Sequence, residues 1–436
     1  MTLWKRSFGK ASLLLAAALT VGLQPFSSAH AQTYTVLYTF TGGEDGAHPL
    51  AGLTMDGSGN LYGTAVDSGA YGWGTVYELA RSGSSWSFST LYAFQGLTGE
   101  IADGGGPASR VVFGPNGGLY GTTMHGGFGQ GCIEWNFGCG TVYSLRSRPG
   151  SWVKGTFFQF GNFDGGNPGY GDVVFDAAGN LYDTSSISGP TGNGVAYQLH
   201  TRNIGETVLR TFTGTPDGSG PISGPILDPA GNLYGTTVAG GQNGYGTVYE
   251  LSPSGIGWTE TILYNFTNGS DGGGPTSNLV MDQSGNLYGA TQSGGSYGGG
   301  TVFELAKTSG SWALTTIYEF RSMTRPAPGN ASAGGCTGQP FIGSNRTLSI
   351  DTAGNLYGTT SADTGNQYGS IYKLSPVSGT TWTYTGLHNF SGPDGGAPWG
   401  SLLLDIAGNL YGTTALGGAN NCGVIFEIPH QDFPWQ

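Results

Sequence analysis

The chain has 436 residues, long for one ordinary hydrophobic core, and 84 of them are glycine, well above the usual share of about 7%. Lys and Arg number 15 against 27 Asp and Glu, a net charge of −12, which argues against nucleic acid and anionic membrane surfaces, since both need basic patches. Aromatic residues (12%) outnumber charged ones (10%) and the glycines recur at fixed places, which excludes a disordered chain.

At the N-terminus, Lys5, Arg6 and Lys10 precede an apolar stretch from Ala11 to Leu23, and Ala29-His30-Ala31 offers a small-x-small cleavage pattern ahead of Gln32. Residues 1–31 are therefore expected to be a secretory signal. Residues 32–436 are expected to be one mature domain, exported to the periplasm or the exterior. A buried N-terminal helix is the competing reading, but no helical period elsewhere would pack against it. The apolar stretch is short for a membrane span and no second one follows, so no span is expected after cleavage.

The first predicted strand runs from Tyr34 to Phe40. The phrase Gly-Asn-Leu-Tyr-Gly-Thr then stands at 59–64, 231–236, 354–359 and 408–413, with variants at 117–122, 179–184 and 285–290. Seven copies 52 to 69 residues apart signal a solenoid, a propeller or an array. Each copy carries four strand signals. In the fourth repeat they are Pro221 to Leu227, Asn232 to Val238, Gly246 to Leu251 and Trp258 to Phe266. These runs are short, β-branched or aromatic, alternate with period two, and are separated by Gly, Pro, Asn and Asp, as an antiparallel meander requires. Four strands per repeat make one propeller blade.

The termini add a second argument. The last repeat stops at Gly423 to Ile428, a third strand, while Tyr34 to Phe40 matches a fourth. An open β-solenoid, the alternative, would leave both edges unpaired. The expected fold is an all-β, seven-bladed β-propeller with four antiparallel strands per blade, closed by pairing the N-terminal strand with the last blade. If strands a to d run from the axis outward, the d–a and b–c loops share one face. The insertions Gln95 to Gly106, Gly126 to Gly140 and Arg321 to Asn345 all fall on it, which marks it as the functional face.

Candidate residues on that face are of two kinds. The b–c loops carry aromatics suited to stacking on sugars, Trp73, Trp135, Tyr245, Tyr297 and Tyr368, with packing between neighbouring loops as the competing role. Tyr71 and Phe128 lie in the same loops. The d–a loops carry a recurrent Asp-Gly, with Asp45, Asp103, Asp164, Asp217, Asp271 and Asp394. A carboxylate ring could serve calcium or a polar ligand. An Asp before Gly more often bonds its own turn, and no cofactor is otherwise expected. The Glu of the third strand (Glu78, Glu250, Glu304, Glu427) is replaced elsewhere by Ser144, Gln198 and Lys373, which suits a solvated strand face and not a shared catalytic acid.

Four cysteines in an exported chain suggest two disulfides, Cys132–Cys139 across a six-residue insertion and Cys336–Cys422 between loops of adjacent blades. A zinc site lacks the Cys-x-x-Cys spacing. The histidines fall in different blades, and Gly294-Gly295-Ser296-Tyr297-Gly298 matches a hydrolase elbow by chance, since that motif needs a strand-to-helix turn. No catalytic residue is assigned.

The unit Gly-Asn-Leu-Tyr-Gly-Thr-Thr, Gly-Gly, Gly-Thr-Val-Tyr-Glu-Leu, then Trp and Leu-Tyr-x-Phe resembles the bacterial GloVer-type ("choice-of-anchor") tandem repeats over nearly all of residues 33 to 428. That resemblance implies an exported protein and brings no assigned activity. The expected function is a monomeric binding propeller that presents its loop-rich face to a carbohydrate or a protein. The alternatives are a secreted carbohydrate-active lyase or hydrolase, with acids gathered at the central opening, and a structural surface protein.

Overall fold

A computed structural model describes residues 33–96, 103–127, 138–161, 163–168, 170–200, 205–308, 310–321, 336, 347–360 and 367–430. The signal expected over residues 1–31 lies outside the described residues. The strands form seven antiparallel sheets arranged as a seven-bladed β-propeller, with no α-helix among the described residues.

Blade 4 shows why the sequence folds this way. Its strands are Ile226–Leu227, Leu233–Thr237, Thr247–Ser254 and Gly257–Asn265. The innermost is two residues long because the Asp228 turn follows at once. Asp228 accepts the amides of Ala230 and Asn232 and the side-chain amide of Asn232 (2.8–2.9 Å), and the Tyr234 hydroxyl donates to it at 3.2 Å. The same Asp-x-x-Gly-Asn clasp recurs at Asp56, Asp282, Asp351 and Asp405. Burial opposes the charge on Asp56, but the Asn60 and Ser58 donors outweigh it and hold the carboxyl below its usual range. Blade 5 carries one more short strand, Gly273–Pro275, on its second strand.

Blades pack through aromatic rings. The Phe closing each outer strand meets the third-strand aromatic of the next blade: Phe40–Tyr77, Phe94–Tyr143, Phe160–Tyr197, Phe212–Tyr249, Phe266–Phe303, Phe320–Tyr372 and Phe390–Phe426, with centroids 5.0–5.7 Å apart. Tilted and edge-on pairs of this kind add about 0.5–1.5 kcal/mol each beyond the area they bury. The third-strand tyrosine also explains a glycine. A Cβ on Gly63 would lie 2.4 Å from the Tyr77 hydroxyl, so the ring takes the side-chain space of the second strand.

The ring closes as the termini suggest. Thr35–Thr39 pairs with Val424–Ile428, with Thr35 opposite Glu427 and Thr39 opposite Val424. Beside this seam, Cys336 is bonded to Cys422, with Cα atoms 5.3 Å apart. Cys139 is also disulfide-bonded, while Cys132 lies outside the described residues.

Candidate functional site

The two loop classes expected on one face are joined there. Short bridges tie five of the d–a loops to a b–c loop: Ala47 to Asp67, Gly105 to His125, Gly166 to Ile187, Ser219 to Ala239 and Gly396 to Leu416. The Asp-Gly carboxylates sit inside these loops and face their own turns. Asp271 accepts Thr267 N (2.8 Å), Thr267 Oγ1 (2.5 Å), Gly269 N (3.1 Å) and Tyr264 Oη (3.1 Å). Asp45 repeats the pattern with Thr41, Gly43 and Tyr38. The tyrosine is replaced by Arg210 at Asp217 and by His388 at Asp394, and Asp103 is shared by Tyr92 and the buried Lys154. Asp164 accepts the Gly161 amide. Among the described residues no three His, Cys, Asp or Glu side chains are grouped to hold a metal ion.

The aromatic candidates separate into two places. Trp73, Tyr245 and Tyr368 occupy one repeat position, and the carbonyl of each accepts an amide from the next d–a loop (Gly106, Gly274 and Ala397; 2.8–3.0 Å). Two of them lie over glycines. A Cβ on Gly96 would stand 2.3 Å from the Trp73 ring, and one on Gly392 would stand 3.0 Å from Tyr368. Cys139 and Cys422 hold this same position in blades 2 and 7, where the same carbonyl accepts the amides of Asn167 and His48. Tyr71 and Tyr297, two residues earlier, are the more exposed, at 58% and 54%. Trp73, Tyr245, Tyr297 and Tyr368 thus stand on four separate blades. Trp135 lies outside the described residues.

Tyr297 borders an open groove of about 480 Å³ whose other walls are Ser270, Thr316, Ile317, Tyr318 and Glu319. The Arg321 guanidinium lies 5.3 Å from the Tyr297 ring centroid and backs one face of it. Glu319 Oε1 accepts both Ser296 N and Ser296 Oγ at 3.0 Å, which fixes the loop bearing Tyr297. Ser296, the centre of the elbow-like motif, therefore sits in a strand-to-strand loop and donates to a carboxylate.

The axis is a second concave place. Residues just before each inner strand meet there: Leu50, Arg110, Asp172, Asn278, Thr347 and Trp399, with Tyr170 and Ile222 above them, so that all seven blades contribute. The space between them is about 30 Å³, room for roughly one or two waters. Arg110 Nη2 and Asp172 Oδ2 are 2.9 Å apart, Asn278 Nδ2 donates to the same oxygen at 3.0 Å, and Arg110 N donates to Asp172 Oδ1 at 3.2 Å. Sequence reasoning missed this cluster. Its signal was there, since the position reads Gly52, Arg110, Asp172, Gly224, Asn278, Thr347 and Ser401 inside an otherwise even repeat.

Three buried acids lie elsewhere. Asp183 replaces the second-strand glycine of blade 3 and takes the Tyr197 hydroxyl at 3.1 Å; burial pushes its carboxyl up to about 8, with the Asp172 charge adding to the shift. Burial and the Asp164 charge raise Glu206 to about 8. Burial also raises Glu260 to about 7, against the opposing pull of Arg210, whose Nη2 is 2.8 Å away. His48 is fully buried with Nδ1 2.9 Å from Asp67. The third-strand acids Glu78, Glu304 and Glu427 accept the hydroxyls of Tyr62, Tyr288 and Tyr411 (2.8–3.1 Å), a cross-strand link and not a solvated edge.

A family model described as the Gloeobacter/Verrucomicrobia repeat matches residues 25–221, 170–339 and 337–433. No curated protein matches the chain by sequence. Among solved structures, a PL25 polysaccharide lyase, an ulvan lyase, is similar with a TM-score of 0.54 at 10% identity, covering 91% of this chain and 96% of that one. A fungal alcohol oxidase of the AA5 family in complex with copper is similar with a TM-score of 0.53 at 12% identity, covering 92% and 76%. Likenesses at this identity show the fold alone.

Proposed function

Because the chain belongs to the Gloeobacter/Verrucomicrobia repeat family, and its blades are near copies of one packing unit, we propose that it is an exported binding propeller that takes a carbohydrate on its loop-rich face, in the groove beside Tyr297. The groove carries this reading. Its roughly 480 Å³ falls within the ~300–1,000 Å³ of ordinary ligand sites, whereas the axial space of about 30 Å³ is far too small for a sugar ring. Tyr297 offers an aromatic face to the apolar side of a pyranose, and Glu319 beside it offers a carboxylate to sugar hydroxyls. A disulfide and the lack of any long apolar helix among the described residues are compatible with export. The ulvan lyase indicates that a ring of this architecture can serve a polysaccharide.

The lyase or hydrolase alternative has less support. Asp172 is the one carboxylate among the described residues lining the axial cavity, and it is engaged by Arg110 and Asn278. Calcium has less as well, because most of the Asp-Gly carboxylates are spent on their own turns. The test is a glycan and polysaccharide array on the mature protein, followed by titration with Tyr297→Ala and, as a control, Tyr245→Ala. Saturable binding that weakens tenfold or more with Tyr297→Ala alone is expected. Binding indifferent to Tyr297 would overturn the groove, and product formation in the same wells would favour the enzyme.

A further inference from the structure

We propose that the axial cavity binds one monatomic anion, chloride or bromide in size, held by donors from three blades. Arg110 Nε, Thr347 Oγ1 and Trp399 Nε1 all belong to residues lining this one small space, and each is buried with no hydrogen-bond partner in the protein. Trp399 itself is only 6% exposed. Leaving a buried donor unpaired forfeits its hydration with nothing in return, and here three such donors belong to residues around one space.

The chemistry of the donors selects the occupant. An indole N–H and a guanidinium N–H can donate and never accept, so a cation or an ammonium group is excluded. A hydroxyl can donate to the same point. Asp172 does not compete for these groups, because Arg110 Nη2, Arg110 N and Asn278 Nδ2 already occupy its two oxygens. The Arg110–Asp172 pair is neutral as a unit, and Arg110 Nε, in a residue that lines the cavity, is left without an acceptor of its own. A space of about 30 Å³, room for roughly one or two waters, suits a monatomic ion better than sulfate, phosphate or a carboxylate. A water is the remaining rival. It accepts two hydrogen bonds and must place two hydrogens of its own, whereas a halide accepts three donors with no such demand.

The site has a structural consequence. Arg110 stands in blade 2, Thr347 in blade 6 and Trp399 in blade 7, so the anion links the blades on both sides of the closing seam through the axis. Its binding to the folded ring alone stabilises that ring by mass action.

The experiment is thermal unfolding of the full mature protein in sodium chloride or bromide against sodium gluconate at equal ionic strength. A saturable rise in midpoint with halide over gluconate is expected, abolished by Trp399→Phe, which keeps the ring and removes the donor, and by Thr347→Val. Tyr297→Ala should leave it intact, which separates this site from the groove. Crystals grown in bromide give a readout on the unchanged protein, an anomalous peak in contact with Trp399 Nε1, Arg110 Nε and Thr347 Oγ1. Coincident halide and gluconate curves, a halide effect that survives both substitutions, or water alone at the axis would each overturn the proposal.

Discussion

Asp183 stands in the deep core where the second strand of every other blade has a glycine, and it makes stability depend on pH. Its folded-state pKa of about 8 lies above the ~3.9 of an unfolded Asp, so between those values the native state holds a proton that the unfolded chain has lost. Stability from this group is therefore greatest below about pH 4 and falls as pH rises toward 8. Asp183→Asn keeps an oxygen for the Tyr197 hydroxyl and removes the titration. Urea unfolding at pH 5 and pH 7.5 should show the wild type losing at least about 1.4 kcal/mol more than the variant over that span. A parallel loss in both proteins would sink the assignment. A second residue-scale expectation concerns Tyr77, Tyr143 and Tyr249, whose hydroxyls are buried without a partner. Blades 5 and 7 place Phe303 and Phe426 at this position. Changing all three tyrosines to Phe should leave the thermal midpoint unchanged or raise it by a few degrees, because a desolvated hydroxyl with no acceptor stabilises nothing; a clear fall would point to a bound water instead. The aromatic character of these positions was legible from period-two alternation. Which hydroxyl finds an acceptor was not, because that depends on one glycine across the strand pair.

At the scale of elements, a disulfide and an aromatic ring turn out to be alternatives for one structural place. Trp73 and Tyr368 lie over Gly96 and Gly392, while Cys422, joined to Cys336, lies over Gly42, where a Cβ would be 2.4 Å from Cys336 Sγ. The bond closes 86 residues of chain, for which the chain-entropy model gives about 4–5 kcal/mol and typical measured values are about 2–4. Cys336→Ser should thus lower the thermal midpoint by several degrees, and dithiothreitol should lower the midpoint of the wild type by more than that of the variant, which keeps only the bond at Cys139. The Cys336–Cys422 pairing could be written down from counting cysteines and from loops sharing a face. The equivalence of Cys139 and Cys422 with Trp73 could not, because the loop lengths differ and only the amide that each carbonyl accepts reveals the shared register. For the same reason the b–c aromatics looked like one class in the sequence, yet three are tied to neighbouring loops while Tyr297 borders a groove.

For the whole molecule, number and closure were legible because seven phrases recur and the two ends supply complementary strands. The centre was not. Arg110, Asp172, Asn278 and Thr347 are far apart in sequence and meet only because a ring brings its innermost positions to one point. Removing residues 32–40 should leave blade 7 with three strands and Phe426 and Val424 at an open edge. Size-exclusion chromatography of that truncation is expected to show self-association, whereas an unchanged monomer would mean the seam contributes little. The same seam sets an order in time. A chain made from N to C lays down Thr35–Thr39 among its first strands, yet that strand's partner, Val424–Ile428, is among the last to appear. Five or six blades can form as they emerge, while the first strand waits unpaired for nearly the whole length of synthesis. Completion of the ring is therefore a report that all seven blades have arrived, and a nascent chain cut short anywhere before residue 424 carries an exposed strand that marks it as unfinished.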